Sequence, residues 1–146
     1  MTSPGLHRDV ETRLRERAVR YTKGRQIVAA TLAGSDGPRS AAELHIEIGG
    51  AVPLSSLYRS LTVLEDAGVV VPHFGSKGLT RYELAEWLTG HHHHLICIDC
   101  GSVEDITIPQ AFEAQVRDLV DDIASIASFV PLNHALEIEG RCAGCT

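Results

Sequence analysis

The 146-residue sequence has no apolar run near the ~18 residues that a membrane-spanning helix needs. Its first twenty residues are polar and arginine-rich, with no apolar stretch of the kind a secretion signal requires. A cytoplasmic location and no membrane partner are therefore expected. No segment repeats, and the only low-complexity tract is a short histidine run. A helix carrying His-Glu-x-x-His is missing, as is the full His-x-Glu…Pro-Cys-x-x-Cys signature of zinc deaminases. A zinc enzyme would lack its usual general base, and no enzymatic activity is expected. Basic residues are scarce after Tyr82: Glu83 to Thr146 holds two Lys/Arg against eleven Asp/Glu, whereas Met1 to Tyr82 holds eleven against eight. The net charge of −6 thus comes from the second half. A mildly basic first half can meet phosphate, and an acidic second half can supply metal ligands.

Hydrophobic residues make up 44% of the chain, enough to bury a core. Arg8 to Arg20 has helical periodicity, with Val10, Leu14 and Ala18 on one face. Thr22 is placed to cap a helix over Lys23 to Ala33. Ser40 and Glu43 form a capping-box pair that opens a helix over Ala41 to Ile48, stopped by Gly49-Gly50. Pro53 to Ala67 reads as a further helix with Leu54, Leu57, Leu61 and Leu64 on one face, ended by Gly68. Val69 to Val71 and Thr80 to Leu84 flank Gly75-Ser76-Lys77-Gly78, a hairpin signal. The first half therefore reads as helices, a helix–turn–helix and a two-stranded wing.

Glu86 to Gly90 reads as a linker, and the pattern changes beyond it. His93 to Ile98, Val103 to Ile108 and Ala135 to Ile138 are strand-like, and Gln110 to Ala127 is an amphipathic helix bearing Phe112, Val116, Leu119, Val120 and Ile123. The expected fold class is α+β. Residues 1–85 form a winged helix–turn–helix domain, 86–90 a hinge and 91–146 a second α/β domain.

Cys97-Ile-Asp-Cys100-Gly and Cys142-Ala-Gly-Cys145 are two Cys-x-x-Cys pairs from distant segments. Each tight turn can offer two thiolates, and two such turns complete the tetrahedron that structural zinc prefers. A redox dithiol is the rival reading, but that motif usually appears once, at a helix start. A structural Zn2+ would staple the end of the chain onto its middle, and such sites are worth ~10–16 kcal/mol in small zinc-binding peptides.

The run His91-His92-His93-His94 leads directly into a strand pattern. A solvated loop is the plain alternative. In an extended chain, side chains alternate faces, so His91 and His93 would point one way and His92 and His94 the other. Two pairs could then feed two metal sites, since imidazole suits zinc, nickel, copper and iron. Candidate partners are Asp66, His73, Glu83, Glu86, Glu113 and His134.

Four segments resemble the ferric uptake regulator superfamily of bacterial metalloregulators. They are Tyr21-Thr22-x-x-Arg25-Gln26, Leu57-Tyr58-Arg59-x-Leu61 with Leu64-x-Asp66-x-Gly68, His91 to Cys100-Gly101, and Gly140-x-Cys142-x-x-Cys145. Their order and distances match the family's from about Val10 to Cys145, and the His-His-x-His-Leu-Ile-Cys-x-x-Cys-Gly string is the most specific part. The resemblance implies a homodimer in which an N-terminal winged helix binds a double-stranded DNA operator and a C-terminal α/β domain dimerises. It implies a regulatory divalent metal (Zn2+, Fe2+, Mn2+ or Ni2+) at the hinge, setting the angle between the domains. Residue by residue, the hinge site would take His92 and His94 with Glu83 and Asp66. His91 and His93 would join Glu113 and His134. Pro53 to Asp66 would be the recognition helix, with Ser55, Ser56, Tyr58, Arg59 and also Arg25 at the DNA. Zinc-sensing members place a Cys near the position of Ala85, and iron-sensing members a His near Gly37-Pro38-Arg39. This chain has neither, so the subfamily stays open. The function implied is a metal-responsive repressor of metal-uptake or homeostasis genes. The alternatives are a zinc-dependent enzyme or a metal buffer using the histidine cluster.

Overall fold

Leu6, Val10 and Leu14 recur four residues apart and are all buried, which is one stripe of a helix. They belong to α1 (Pro4–Arg15), the first element of a computed structural model describing residues 4–75 and 78–146. The chain divides into two compact units, Met1–Gly90 and His91–Thr146. The first-unit elements are α1, α2 (Lys23–Ala33), β1 (Arg39–Ser40), α3 (Ala41–Ile48), α4 (Leu54–Asp66), β2 (Val70–Phe74), β3 (Thr80–Leu84) and α5 (Glu86–Thr89). The second unit holds β4 (His93–Cys97), β5 (Val103–Ile106), α6 (Gln110–Ala127) and β6 (Glu137–Gly140). Among the described residues, no helix is long and apolar enough to cross a membrane.

Capping chemistry sets the helix starts. The Thr22 side chain accepts from the Arg25 backbone N–H. Ser40 and Glu43 exchange both bonds of a capping box. These donors would otherwise be orphaned in the first helical turn. Gly49 stops α3 in the left-handed region at φ 67°. Leu57, Leu61 and Leu64 of α4 pack with Val28, Leu32 and Leu44 into the core of the first unit.

The structure departs from the sequence pattern in definite places. α1 ends at Arg15 rather than running to Arg20. Val19 N–H bonds back to Leu14 C=O (2.9 Å) and Ala18 N–H to Arg15 C=O (3.0 Å), with Ala18 left-handed at φ 56°. That is a Schellman closure built on alanine. The linker-like stretch after Ala85 forms the single turn of α5, closed by Gly90 N–H to Glu86 C=O at 2.7 Å. β1 is an added strand: it pairs antiparallel with β3, giving the order β1-β3-β2. In the expected hairpin turn, Ser76 and Lys77 lie outside the described residues. β5 stops at Ile106, and the last strand is Glu137–Gly140 rather than Ala135 to Ile138. The shift follows from its parallel register on β4, which runs from His94↔Glu137 to Cys97↔Gly140. Leu54 lies half exposed at the start of α4, and Phe112, Leu119 and Ile123 of α6 are more than half exposed within the single chain.

Arg81 on β3 is buried, and its Nη1 reaches both Glu43 carboxylate oxygens at 2.7 and 2.8 Å. Burial by itself would raise the Glu43 pKa, but the Ser40 N–H and the Arg81 guanidinium outweigh it and hold the carboxyl below its ordinary value. Glu43→Ala removes a cap and leaves the guanidinium buried and unpaired. Because Glu43 itself is partly exposed, the expected loss is about 1–3 kcal/mol, read as a lower urea midpoint. A carboxylate with a depressed folded pKa stabilises above its unfolded pKa, and that stabilisation disappears as pH falls through the folded value. The gap between parent and variant should therefore be full at neutral pH and narrow as pH falls below the ordinary carboxylate range.

Candidate metal centres and nucleic-acid interface

The Cys97-x-x-Cys100-Gly turn closes at the end of β4, where Gly101 N–H bonds to Cys97 C=O at 2.9 Å and Gly101 takes φ 75°. Cys145 N–H closes the second turn onto Cys142 C=O, also at 2.9 Å. β6 runs parallel to β4 and delivers the second turn beside the first. All four cysteines are free thiols, with sulfurs within 4.8 Å of one another. Cys100 Sγ and Cys142 Sγ lie 3.8 Å apart. Zinc–sulfur bonds of ~2.3 Å in a tetrahedron require an edge of about 3.8 Å. The backbone N–H groups of Cys100 and then Cys142 point at Cys97 and pull its thiol down to about 6. Hydrogen bonding from Cys142, and then from Cys97 and Cys100, pushes Cys145 up to about 12. Without an ion these thiols cannot all ionise together. A bound cation removes that conflict by holding each sulfur as thiolate. The donor chemistry fits structural zinc.

The alternation of an extended chain separates the histidines. His91 and His93 meet on one side, with ring centroids 4.7 Å apart, and His92 and His94 on the other, 5.0 Å apart. On the first side the α6 carboxylate of Glu113 receives His93 Nε2 at 2.8 Å, His134 Nε2 at 2.7 Å and His91 Nε2 at 3.2 Å. His91 Nε2 and His134 Nε2 are 3.1 Å apart. The edges of a tetrahedron with ~2.0–2.1 Å bonds are about 3.3 Å, so three imidazoles and one carboxylate converge at the spacing of a metal cage. The hydrogen bond from His93, followed by that from His134, holds the Glu113 carboxyl down at about 2 against the opposing effect of burial. His93 Nδ1 accepts the Leu136 backbone N–H at 3.3 Å, which leaves the neutral-ring proton on Nε2. Metal at Nε2 requires the other tautomer, and therefore displacement of that amide.

On the second side His94 Nε2 and His92 Nε2 approach Asp105 Oδ1 at 3.4 and 3.6 Å. Asp105 lies opposite His94 in the antiparallel β4–β5 register. No spacing rule singles out Asp105 in the sequence. Only the strand pairing brings it to the histidines.

In the first unit, Ser55, Ser56, Tyr58 and Arg59 are all exposed on the N-terminal half of α4, with Tyr58 at 52%, while Leu57 and Ser60 face inward. Tyr58 is thus available to a partner rather than part of the core. Arg25 sits in the first turn of α2, its Nη1 donating to Arg20 C=O. Glu83 pairs across the wing with His73 Nε2 at 2.5 Å. Asp66 is exposed in the last turn of α4 and joins none of the donor groups found among the described residues. The same holds of Glu86, on α5.

Cys142→Ser should lower bound zinc by one equivalent per chain. Because β6 is held beside β4 by the same turns, the variant should also lose near-UV signal and melt at lower temperature. Strong chelation of the parent should reproduce both changes. A chelated protein with unaltered melting would remove the zinc assignment.

A model of the ferric uptake regulator family matches residues 16–139. The ferric uptake regulation protein of Campylobacter jejuni is 33% identical over 138 residues, covering 90% of this chain and 83% of its own length. That of Escherichia coli K12 is 32% identical over 139 residues, covering 92% and 89%. The crystal structure of the Vibrio cholerae ferric uptake regulator superposes with a TM-score of 0.69 at 29% identity, covering 90% of this chain and 98% of that one. The matched span takes in the winged helix, the histidine run and the first cysteine pair, and the chain belongs to the ferric uptake regulator family of metal-responsive, DNA-binding transcriptional regulators.

Proposed function

We propose that this regulator is a cytoplasmic homodimer that represses metal-uptake genes when its metal is plentiful. The relatives' name, ferric uptake regulation protein, makes iron supply the first process to examine. The observation that carries the reading is the sorting of four consecutive histidines onto two carboxylates, Glu113 on one side and Asp105 on the other. Cys97, Cys100, Cys142 and Cys145 hold a permanent structural zinc. His91, His93, Glu113 and His134 hold a second ion. His92 and His94, with Asp105, hold the regulatory ion, and the family resemblance adds Glu83 and Asp66 to that set. Nitrogen and carboxylate ligands release an ion more readily than four thiolates, as a sensor requires. The thiolate set and the Glu113 set each supply four protein ligands and leave no open coordination position, which favours binding over catalysis. The exposed apolar residues of α6, among them Phe112, Leu119 and Ile123, supply a surface that a second copy would cover. Ser55, Ser56, Tyr58 and Arg59 present the N-terminal half of a helix to the major groove, with Arg25 on phosphate.

The test is operator binding by metal-free protein titrated with Zn2+, Fe2+, Mn2+ and Ni2+ in turn. At least one ion should raise affinity by about 5–150-fold, the usual range of such coupling. His94→Ala should abolish that gain while retaining structural zinc. Arg59→Ala should weaken operator binding at every metal concentration, and in both proteins affinity should fall with salt as counterions are released. Affinity indifferent to all four ions would overturn the regulatory reading. Glu83→Gln and Asp66→Asn, measured the same way, decide whether the first unit supplies ligands.

A further inference from the structure

α5 is a single turn, yet it is tied to the end of α4 at several points. Ala85 N–H, just before it, bonds to Val69 C=O at 2.9 Å. Trp87, the only tryptophan, donates its indole N–H to Gly68 C=O at 2.8 Å. From α1, Arg13 Nη1 donates to Ala67 C=O at 3.3 Å, and its guanidinium carbon lies 4.1 Å from the centre of the Trp87 ring. Ala67 and Gly68 are the first residues beyond α4, where a helix end gathers unsatisfied carbonyls and partial negative charge. Gly68 is left-handed at φ +71°, and a Cβ there would lie 3.3 Å from Arg13 Nη1. Three chain segments therefore meet at one helix end, with an indole, which can only donate, and a cation stacked on its face.

We propose that Trp87 is a positioning residue: it pins the peptide entering the histidine run to the C-terminal end of the DNA-facing helix, so that the effect of bound metal on DNA affinity passes through this contact. The inference rests on the reading that His91 to His94 bind the regulatory and second ions. Gly90 follows α5 and His91 follows Gly90, so one residue separates α5 from the first histidine and three separate it from β4. Trp87 as a whole residue is 44% exposed. Its N–H and its π face are both engaged. Neither Trp87 nor Arg13 reaches toward the exposed N-terminal half of α4, so loss of the clamp leaves the DNA-facing side chains in place.

The full-length protein is tested with Trp87→Ala and Trp87→Phe. Three quantities are measured for each: operator affinity at saturating metal, operator affinity after removal of the regulatory ion with a mild chelator, and metal affinity by competition. Trp87→Ala should cut the metal-dependent gain in operator affinity by about tenfold, within the range of allosteric couplings. Its chelated operator affinity and its metal affinity should stay within about twofold of the parent. Trp87→Phe keeps the stacked ring and loses the donor, and should give an intermediate loss. It also serves if the alanine variant folds poorly. A parental gain in both variants would overturn the proposal alone. An equal fall with and without metal would reduce Trp87 to a helix cap and overturn it as well. No gain in the unsubstituted protein would overturn the metal reading and the proposal with it.

Discussion

The extended conformation of one strand governs the chemistry of the second unit. β4 lies between β5 and β6, hydrogen-bonded on both edges. Held that way, it cannot twist its side chains out of strict alternation, and the alternation carries back through His91 and His92. Four adjacent imidazoles therefore cannot collapse onto a single ion. They are parcelled into a pair that meets Glu113 and a pair that meets Asp105. Cys97 ends the same strand, and the parallel pairing with β6 leads to Cys142. The thiolate staple and both histidine sets thus share one backbone. Freeing β6 from β4 would also free the segment from His134 to Leu136, which contributes one ligand and fixes the tautomer of His93.

Protons and metal compete for these groups. A histidine ligates only when its ring is neutral, so acidification must weaken metal binding at both sets. In the absence of metal, Glu113 accepts hydrogen bonds from the imidazoles, and the pairing holds its carboxyl down at about 2, the first cause being His93. The carboxylate is therefore already charged throughout the neutral range. An incoming cation therefore meets a carboxylate that needs no deprotonation. At the cysteines the direction is reversed. Cys97 is drawn toward thiolate by two backbone N–H groups, while Cys145 is held as thiol by its neighbours. The ion is what makes four negative sulfurs compatible in one place.

Much of the first unit was legible because helix signals are local. Thr22, the Ser40–Glu43 box and Gly49 fix three helix boundaries from a few residues of sequence. The two Cys-x-x-Cys turns were legible for the same reason. Features that depend on partners distant in sequence were not. β1 is two residues long and exists through its pairing with β3. Asp105 enters its site by register, and β6 begins later than its apolar pattern suggests because parallel pairing sets its start. Ala18 takes a left-handed conformation usually left to glycine, so nothing in its side chain marks the end of α1. The turn of helix after Ala85 looks like linker because its support comes from outside: Trp87 reaches Gly68, nineteen positions back.

Helix α4 shows a division of labour along its length. Toward its start, Ser55, Ser56, Tyr58 and Arg59 are exposed. Toward its end, Leu61 and Leu64 are buried, and just past that end the carbonyls of Ala67 and Gly68 accept from Arg13 and Trp87. The helix packs on the core along its inner face, through Leu57, Leu61 and Leu64, and its end carries the added tie to α1 and α5. An ion alters an equilibrium only by the difference in its affinity for two states. For that difference to reach DNA, the segment carrying the ligands must bear on the helix through contacts that are stiff and few. Under the proposed function, hydrogen bonds at a helix terminus and a stacked cation would satisfy both conditions, whereas a flexible linker after Ala85 would dissipate the same free energy in its own backbone freedom.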